Sequence, residues 1–352
     1  MGGGPEGTEL DIALLGGFGF ACRPDCGLCC YAEPRVRASE RKRLLEIAPE
    51  AEFVGTGSDV FIASRADGGA CQFLEENRCR VHDARPHPCR EFPLTAHVGT
   101  RVQVTVVLSC PGVDLSPLVH FHVRADETRG TEFASELAAL RERVDSRTSR
   151  RLDASRRRRR KIAKELESSG RWEEETEVRD RLRGEIPLPT AEDFPVADPP
   201  SPDDGVELLP LFFDQRSAPV ALAEGLGGWE LHEISPVGGF ARTLGVVPAP
   251  DRPAEMTSDA AALLRGYLSY WLERDAFFGA VHLRMIDSAD GTVTEWAYDE
   301  LRAIGALTLA RAEVRAKFAR GSVDRLDVAD LANGIRATDQ DLLDRDSWGE
   351  RL

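Results

Sequence analysis

The chain has no cysteine beyond Cys110, so its last 242 residues offer no thiol at all. Lysine is almost missing too: Lys42, Lys161, Lys164 and Lys317 are four among forty-five bases, which reads as codon composition rather than mechanism. No stretch approaches the ~20 consecutive apolar residues that a membrane-spanning helix requires, since charge interrupts every apolar run. No basic-then-apolar leader opens Met1–Leu10, and the expectation is an unexported, cytoplasmic protein. Positive charge is in deficit: sixty acids oppose forty-five bases, a net charge of −15. Long-range attraction to phosphate needs the opposite sign, which argues against general nucleic-acid or anionic-membrane binding. With 352 residues, 42% of them apolar, the chain has ample material for two domains or three small ones.

What is there divides into four stretches, and the expected class is α+β. Residues 1–128 hold every cysteine and five histidines. Their signals are an amphipathic helix at Arg37–Ile47, a strand at Val60–Ile62 and a clear strand at Arg101–Leu108 that runs straight into Cys110. Residues 129–186 read as a two-helix arm, a helical hairpin broken at Ser168-Ser169-Gly170 and closed by Gly184. The six consecutive bases Arg156–Lys161 read as a solvated helix face balanced by Glu165, Glu167 and Glu173–Glu175. Residues 187–205 contain six prolines and five acids, the composition of a semi-extended linker. Residues 206–352 read as a separate α+β domain. It has strands at Val206–Phe213 and Trp229–Ile234 and helices at Ala260–Trp271 and Leu301–Phe318, with Gly321 past the end of the second. Tyr267, Tyr270, Trp271, Phe277 and Phe278 are expected in its core rather than around a ligand.

The chemistry lies in the cysteine spacing. Cys22-x3-Cys26-x2-Cys29-Cys30 is followed by Cys71-x7-Cys79-x9-Cys89-x20-Cys110. Disulfide frameworks belong to small exported domains, whereas clustered thiols in a reducing compartment bind metal. Short spacings bring several sulfurs to one point without ordering long loops. All eight are candidate ligands. Adjacent Cys29 and Cys30 are expected to point apart and serve different centres or roles. An all-thiolate set suits zinc and iron–sulfur alike, but eight exceed what one structural zinc uses, which favours iron–sulfur. Around Cys89, His82-Asp83-Ala84-Arg85-Pro86-His87-Pro88-Cys89-Arg90-Glu91-Phe92-Pro93 packs prolines that stiffen the backbone. Arg85 and Arg90 are candidates to bond cluster sulfurs or a substrate anion, or else to pair with Asp83 and Glu91. His87 is expected beside the centre or at the surface rather than as a ligand.

The order of these motifs, from Phe20-Ala21-Cys22 and Cys26-Gly27-Leu28-Cys29-Cys30 through Cys71-Gln72-Phe73-Leu74 and Cys79-Arg80-Val81-His82-Asp83 to Arg85–Pro93 and Cys110-Pro111-Gly112, resembles the YkgJ-type cysteine cluster family. The resemblance covers about residues 18–115. It implies a zinc- or iron-chelating domain and, because flagellin lysine N-methylases are similar to that family, methyl transfer from S-adenosylmethionine to a protein lysine. In the family the first cysteine pair is commonly two residues apart; here three residues separate Cys22 from Cys26.

Cys22-x3-Cys26-x2-Cys29 also matches the spacing of the radical S-adenosylmethionine signature. Five further cysteines, a helical arm in place of alternating strands and helices, and Leu28 where that class has an aromatic speak against it. Gly16-Gly17-Phe18-Gly19 lacks the G-x-G-x-x-G spacing of a dinucleotide-type pocket. Two readings stand: an iron–sulfur (4Fe–4S) or zinc enzyme, protein-modifying or redox, and a non-enzymatic interaction module with structural zinc that contacts a protein partner. On either, removing residues 206–352 is expected to leave the metal in place.

Overall fold

The computed structural model describes residues 12–14, 16–23, 26–31, 34–57, 59–65, 69–123, 133–141, 146–194, 209–211, 220–225, 228–234, 240–248, 250, 252–288, 290–344 and 350–351. The first part of the chain runs through β1 (Ile12–Leu14), α1 (Ala38–Ile47), β2 (Phe53–Thr56), β3 (Asp59–Ile62), β4 (Leu74–Glu75) and β5 (Arg78–Cys79). It continues through α2 (His87–Glu91), β6 (Leu94–Val98) and β7 (Val102–Val106). Three helices follow, α3 (Ala134–Arg141), α4 (Ser146–Ser168) and α5 (Glu175–Gly184). Then come β8 (Leu209–Leu211), β9 (Val220–Gly225), β10 (Gly228–Ile234), β11 (Phe240–Val247) and β12 (Glu255–Met256). The chain closes with α6 (Ser258–Leu272), α7 (Asp275–Asp287), α8 (Val293–Arg320), β13 (Arg325–Leu326), α9 (Val328–Asp344) and β14 (Glu350–Arg351). Helix and strand are mixed throughout, as expected of an α+β chain. None of the described helices is long and apolar enough to cross a membrane.

Two four-stranded sheets organise it, in the orders β1-β7-β6-β14 and β11-β10-β9-β8. In the first, β1 is parallel to β7 while β6 and β14 pair antiparallel. Val102, Val104 and Val106 alternate with polar residues, which suggests a strand with one wet face. All five residues of β7 are in fact buried, because helices cover the second face as well. Gln103 there donates to the carbonyl of Glu273 (3.0 Å) and accepts from the N–H of Asp275 (2.7 Å), tying the α6–α7 corner to the strand. Tyr270 hydroxyl accepts from the Val106 N–H (2.9 Å) and donates to its carbonyl (3.1 Å).

Local signals explain the long helices. Thr257 caps α6 through the N–H of Ala260, and Thr292 with Glu295 forms a capping box on α8. Gly321, at φ 79°, ends α8 in the left-handed region. The main core does not respect the sequence segments: Phe18 and Val104, Leu140 and Ile162, Leu263, Leu309 and Ile335 all share it. Pro187 and Pro189 are buried, with Arg302 of α8 reaching Asp193 and Thr190; residues 195–205 of the expected linker lie outside the described residues. A second, smaller core of Val36, Leu44, Val60, Ile62, Phe73, Val81 and Ala84 lies under α1 and the β2–β3 hairpin.

The basic run on α4 is not uniformly solvated. Arg159 turns inward, donating to Glu175 (2.7 Å), to the ring of His282 (2.9 Å) and to the carbonyl of Asp275 (2.7 Å). That guanidinium, after burial itself, holds His282 neutral at about 3. Glu173 is paired with Arg181 rather than with the run.

The most deeply buried ion pair joins Arg274, lying 3.9 Å over the Trp271 ring, to Asp339 at 2.9 Å. Removing one partner of a buried pair leaves the other charge uncompensated and costs about 3–5 kcal/mol. Arg274→Met is therefore expected to lower stability by about that amount, read as a fall in the urea midpoint at unchanged slope.

Candidate metal centre

Each cysteine is placed by a short, conformationally specified segment. Ahead of Cys22, Phe20 bridges Val113 and the Ala21 N–H donates to Gly112 (3.0 Å). A Cβ on Gly112 would lie 2.5 Å from the Ala21 oxygen, so glycine lets the segments of Cys22 and Cys110 run this close. Cys110 itself sits in a turn, with its N–H donating to Val107 (3.2 Å) and its carbonyl accepting from Val113 (3.0 Å).

Cys26 precedes Gly27, which has φ 63° and whose Cβ would meet Leu74 at 2.9 Å and the Asn77 backbone at 3.2 Å. The loop thereby closes on the β4–β5 hairpin. That hairpin turns through Glu76 and Asn77, both at positive φ, which is type I′ geometry. It sets Cys79 opposite Leu74. Cys29 and Cys30 share one 3₁₀ turn, Leu28–Tyr31, and the Cys71 N–H donates to the Cys30 carbonyl (2.6 Å). Cys89 lies in α2, entered through Pro86 and Pro88, and its N–H reaches Pro86 (3.0 Å).

The eight thiols are free, and the charge of Cys29 acts on each of the other seven. Cys29 and Cys30, expected to point apart, hydrogen-bond each other instead; the bond brings Cys29 down to about 7 and drives Cys30 far up. Burial chiefly raises Cys22, Cys26, Cys71, Cys79, Cys89 and Cys110, the last to about 12. The negative charge of Cys29 adds to the rise in every one of them. Cys22 and Cys29 are exposed, Cys71 and Cys110 buried, and the rest half-buried.

Arginines oppose that negative field. Arg85 lowers Cys22, Cys29, Cys79 and Cys89 at once, with its Nε anchored on the His82 carbonyl (3.0 Å). Arg90 lies near Glu40 (3.9 Å). His87 is buried: its backbone N–H and ring nitrogen meet the two Glu40 carboxylate oxygens at 2.8 and 3.1 Å. Glu40 also accepts from the Arg37 N–H (2.9 Å) at the start of α1. Burial alone would raise its carboxyl, but these donors outweigh it and hold Glu40 at about 2. Glu40 and Arg336, which touches the Cys110 turn, were not indicated by the sequence. They lie 47 and 226 residues from their partners, beyond any local motif.

The donor chemistry fits a soft cation. Partly buried thiols that raise one another are stabilised as thiolates by bound metal, and thiolate sets hold zinc and iron–sulfur centres. Among the described residues, no three His, Cys, Asp or Glu side chains already converge in metal-holding geometry. Free thiols in this number are nonetheless the kind of donor that thiolate metal-binding domains use. Residues 21–110 match the family model CxxCxxCC, described as "Putative zinc- or iron-chelating domain", so this segment belongs to the cysteine cluster family that its motifs resemble. That match supports binding of zinc or iron. No curated protein and no solved structure matches the chain.

Glu40 gives a pH test. Its folded value lies below the ordinary 4.5, so its contribution is full above about pH 4.5 and is lost as pH falls toward about 2. In metal-free protein, Glu40→Gln is expected to be less stable than the wild type at pH 6. The gap between the two urea midpoints should close between pH 4.5 and 2.

Proposed function

We propose that residues 21–110 form a thiolate metal centre of the iron–sulfur kind. Its sulfurs divide into Cys22, Cys26, Cys29 and Cys110 on one side and Cys30, Cys71, Cys79 and Cys89 on the other. The observation that carries the reading is the reach of Cys29 to all seven other thiols. Eight gathered sulfurs are twice the complement of one structural zinc, and four per centre is the cluster complement.

The division follows which thiols act on which. Beyond Cys29, Cys110 feels Cys26, and Cys26 feels Cys22. Cys30 and Cys89 both feel Cys71 and Cys79. Packing supports it: Cys30, Cys71 and Cys79 lie against the small core, and Cys110 belongs to the main one. Arg85 reaches thiols of both sets and is the candidate donor to bridging or terminal sulfur; Arg90 would act beside it through Cys89.

The exposed Cys22 and Cys29 leave the first set open on the side a protein substrate or partner would approach. An open side favours redox chemistry or protein modification, and S-adenosylmethionine is the donor that the methylase resemblance brings forward. The second reading, structural zinc in a non-enzymatic module, draws on the same packing, since a metal between two cores would staple them together.

Anaerobic purification with metal analysis and a visible spectrum separates the two. Iron with acid-labile sulfide and a dithionite-bleached band near about 400 nm is expected; zinc with no visible band would install the structural reading. Cys110→Ser and Cys71→Ser are each expected to lose about half the metal per chain, as expected if each set of four thiolates forms its own centre. Retention of full metal in both variants would refute the ligand sets. Because every thiol but Cys29 is raised in the metal-free protein, metal must displace protons, and affinity is expected to climb with pH in a competition titration.

A further inference from the structure

Cys110 is approached from outside the cysteine-rich segment. Past Val106 the chain leaves the sheet, yet Val107, Leu108, Ser109 and Cys110 remain 0–9% exposed. Buried backbone groups without a strand partner must find donors and acceptors elsewhere. Pro93 accepts the Val107 N–H (2.7 Å), and helix α9 serves other groups of the segment. Arg336 donates to the carbonyls of Leu108 (2.9 Å), Cys110 and Val113 (3.0 Å). Asp339 accepts the Leu108 N–H (2.7 Å) while paired with Arg274. Gly334 lets α9 come this close to α8, since a Cβ there would lie 2.4 Å from the Thr308 carbonyl.

We infer that Arg336 is a positioning residue of the metal centre. Its fork grips three carbonyls of the Cys110 turn and thereby aims that thiol at Cys26 and Cys29, making α9 part of the site. The inference rests on the thiolate-centre reading above. It replaces the expectation that residues 206–352 are dispensable for metal. The three carbonyls bracket Cys110 on both sides, so the backbone that carries its sulfur is held in place while the fork holds. Arg336 also lies close enough for its charge and that of the Cys110 thiol to act on each other. The second thiol set has no such support from α9 among the described contacts.

The test uses full-length Arg336→Leu and Arg336→Lys, with metal content measured on the purified proteins. It also follows iodoacetamide alkylation of each cysteine in metal-stripped, folded protein by peptide mass spectrometry. In Arg336→Lys, which keeps the charge but not the fork, Cys110 is expected to react about tenfold faster, equivalent to about 1.4 kcal/mol, with Cys71 and Cys79 unchanged. Arg336→Leu also removes a charge that favours the reactive thiolate, so its Cys110 rate should fall between that of the wild type and that of Arg336→Lys, which carries the comparison if the leucine variant does not fold. Metal per chain should drop by the share of the first set. An unchanged Cys110 rate, or an equal rise at all eight cysteines, would overturn the inference. If the wild type binds neither zinc nor iron, the centre fails as proposed, while the alkylation pattern still decides whether Arg336 positions Cys110.

Discussion

Strand β7 and the turn behind it are held by side chains from outside the sheet as well as by their neighbouring strands. Asp275 accepts from Thr100 ahead of the strand, Gln103 links it to the α6–α7 corner, Tyr270 takes both backbone groups of Val106, and Asp339 and Arg336 take over once the ladder ends. A buried segment with this many backbone groups to satisfy has few alternative conformations. The rest of the molecule is arranged around that fixed line: the first sheet forms beside it, the C-terminal helices lie over it, and the cysteine cluster hangs from its end at Cys110.

The other governing term is electrostatic. Thiols brought this close oppose ionisation of one another, and only partial relief comes from Arg85, Arg23, Arg65 and Arg336, each set against a different part of the cluster. The protein as a whole is strongly acidic, so these arginines are a local exception placed where the sulfurs lie. Glu40 and His87 serve the same neighbourhood differently, locking α1 to the helix that carries Cys89.

Much of this was legible in the sequence where the cause is local. The cysteine spacings and their flanking motifs pointed to the chelating domain over residues 21–110. Helices α1 and α6 and the later part of α8 follow from periodicity and Gly321, whereas the start of α8 at Val293 and its Thr292 cap did not. What escaped was whatever depends on distant contacts. The alternation in β7 cannot reveal that its polar face is covered, because Gln103 meets residues 170 and 172 positions away. Arg159 looks like its five basic neighbours until Glu175, Asp275 and His282 are folded against it. The hydrogen bond between Cys29 and Cys30 arises because a 3₁₀ turn, not an extended pair, carries them.

The separation of Cys110 from Arg336 by 226 residues also has a temporal side. A chain made from its N-terminus has Cys30, Cys71, Cys79 and Cys89 in hand, with the hairpin and α1 that position them, long before α9 is synthesised. On the proposed division, the small lobe closes its thiol set while the ribosome is still at work, and the set containing Cys110 stays unclasped until α9 has emerged. If the division holds, loading is ordered in time, and the later centre reports that the distant helix has arrived.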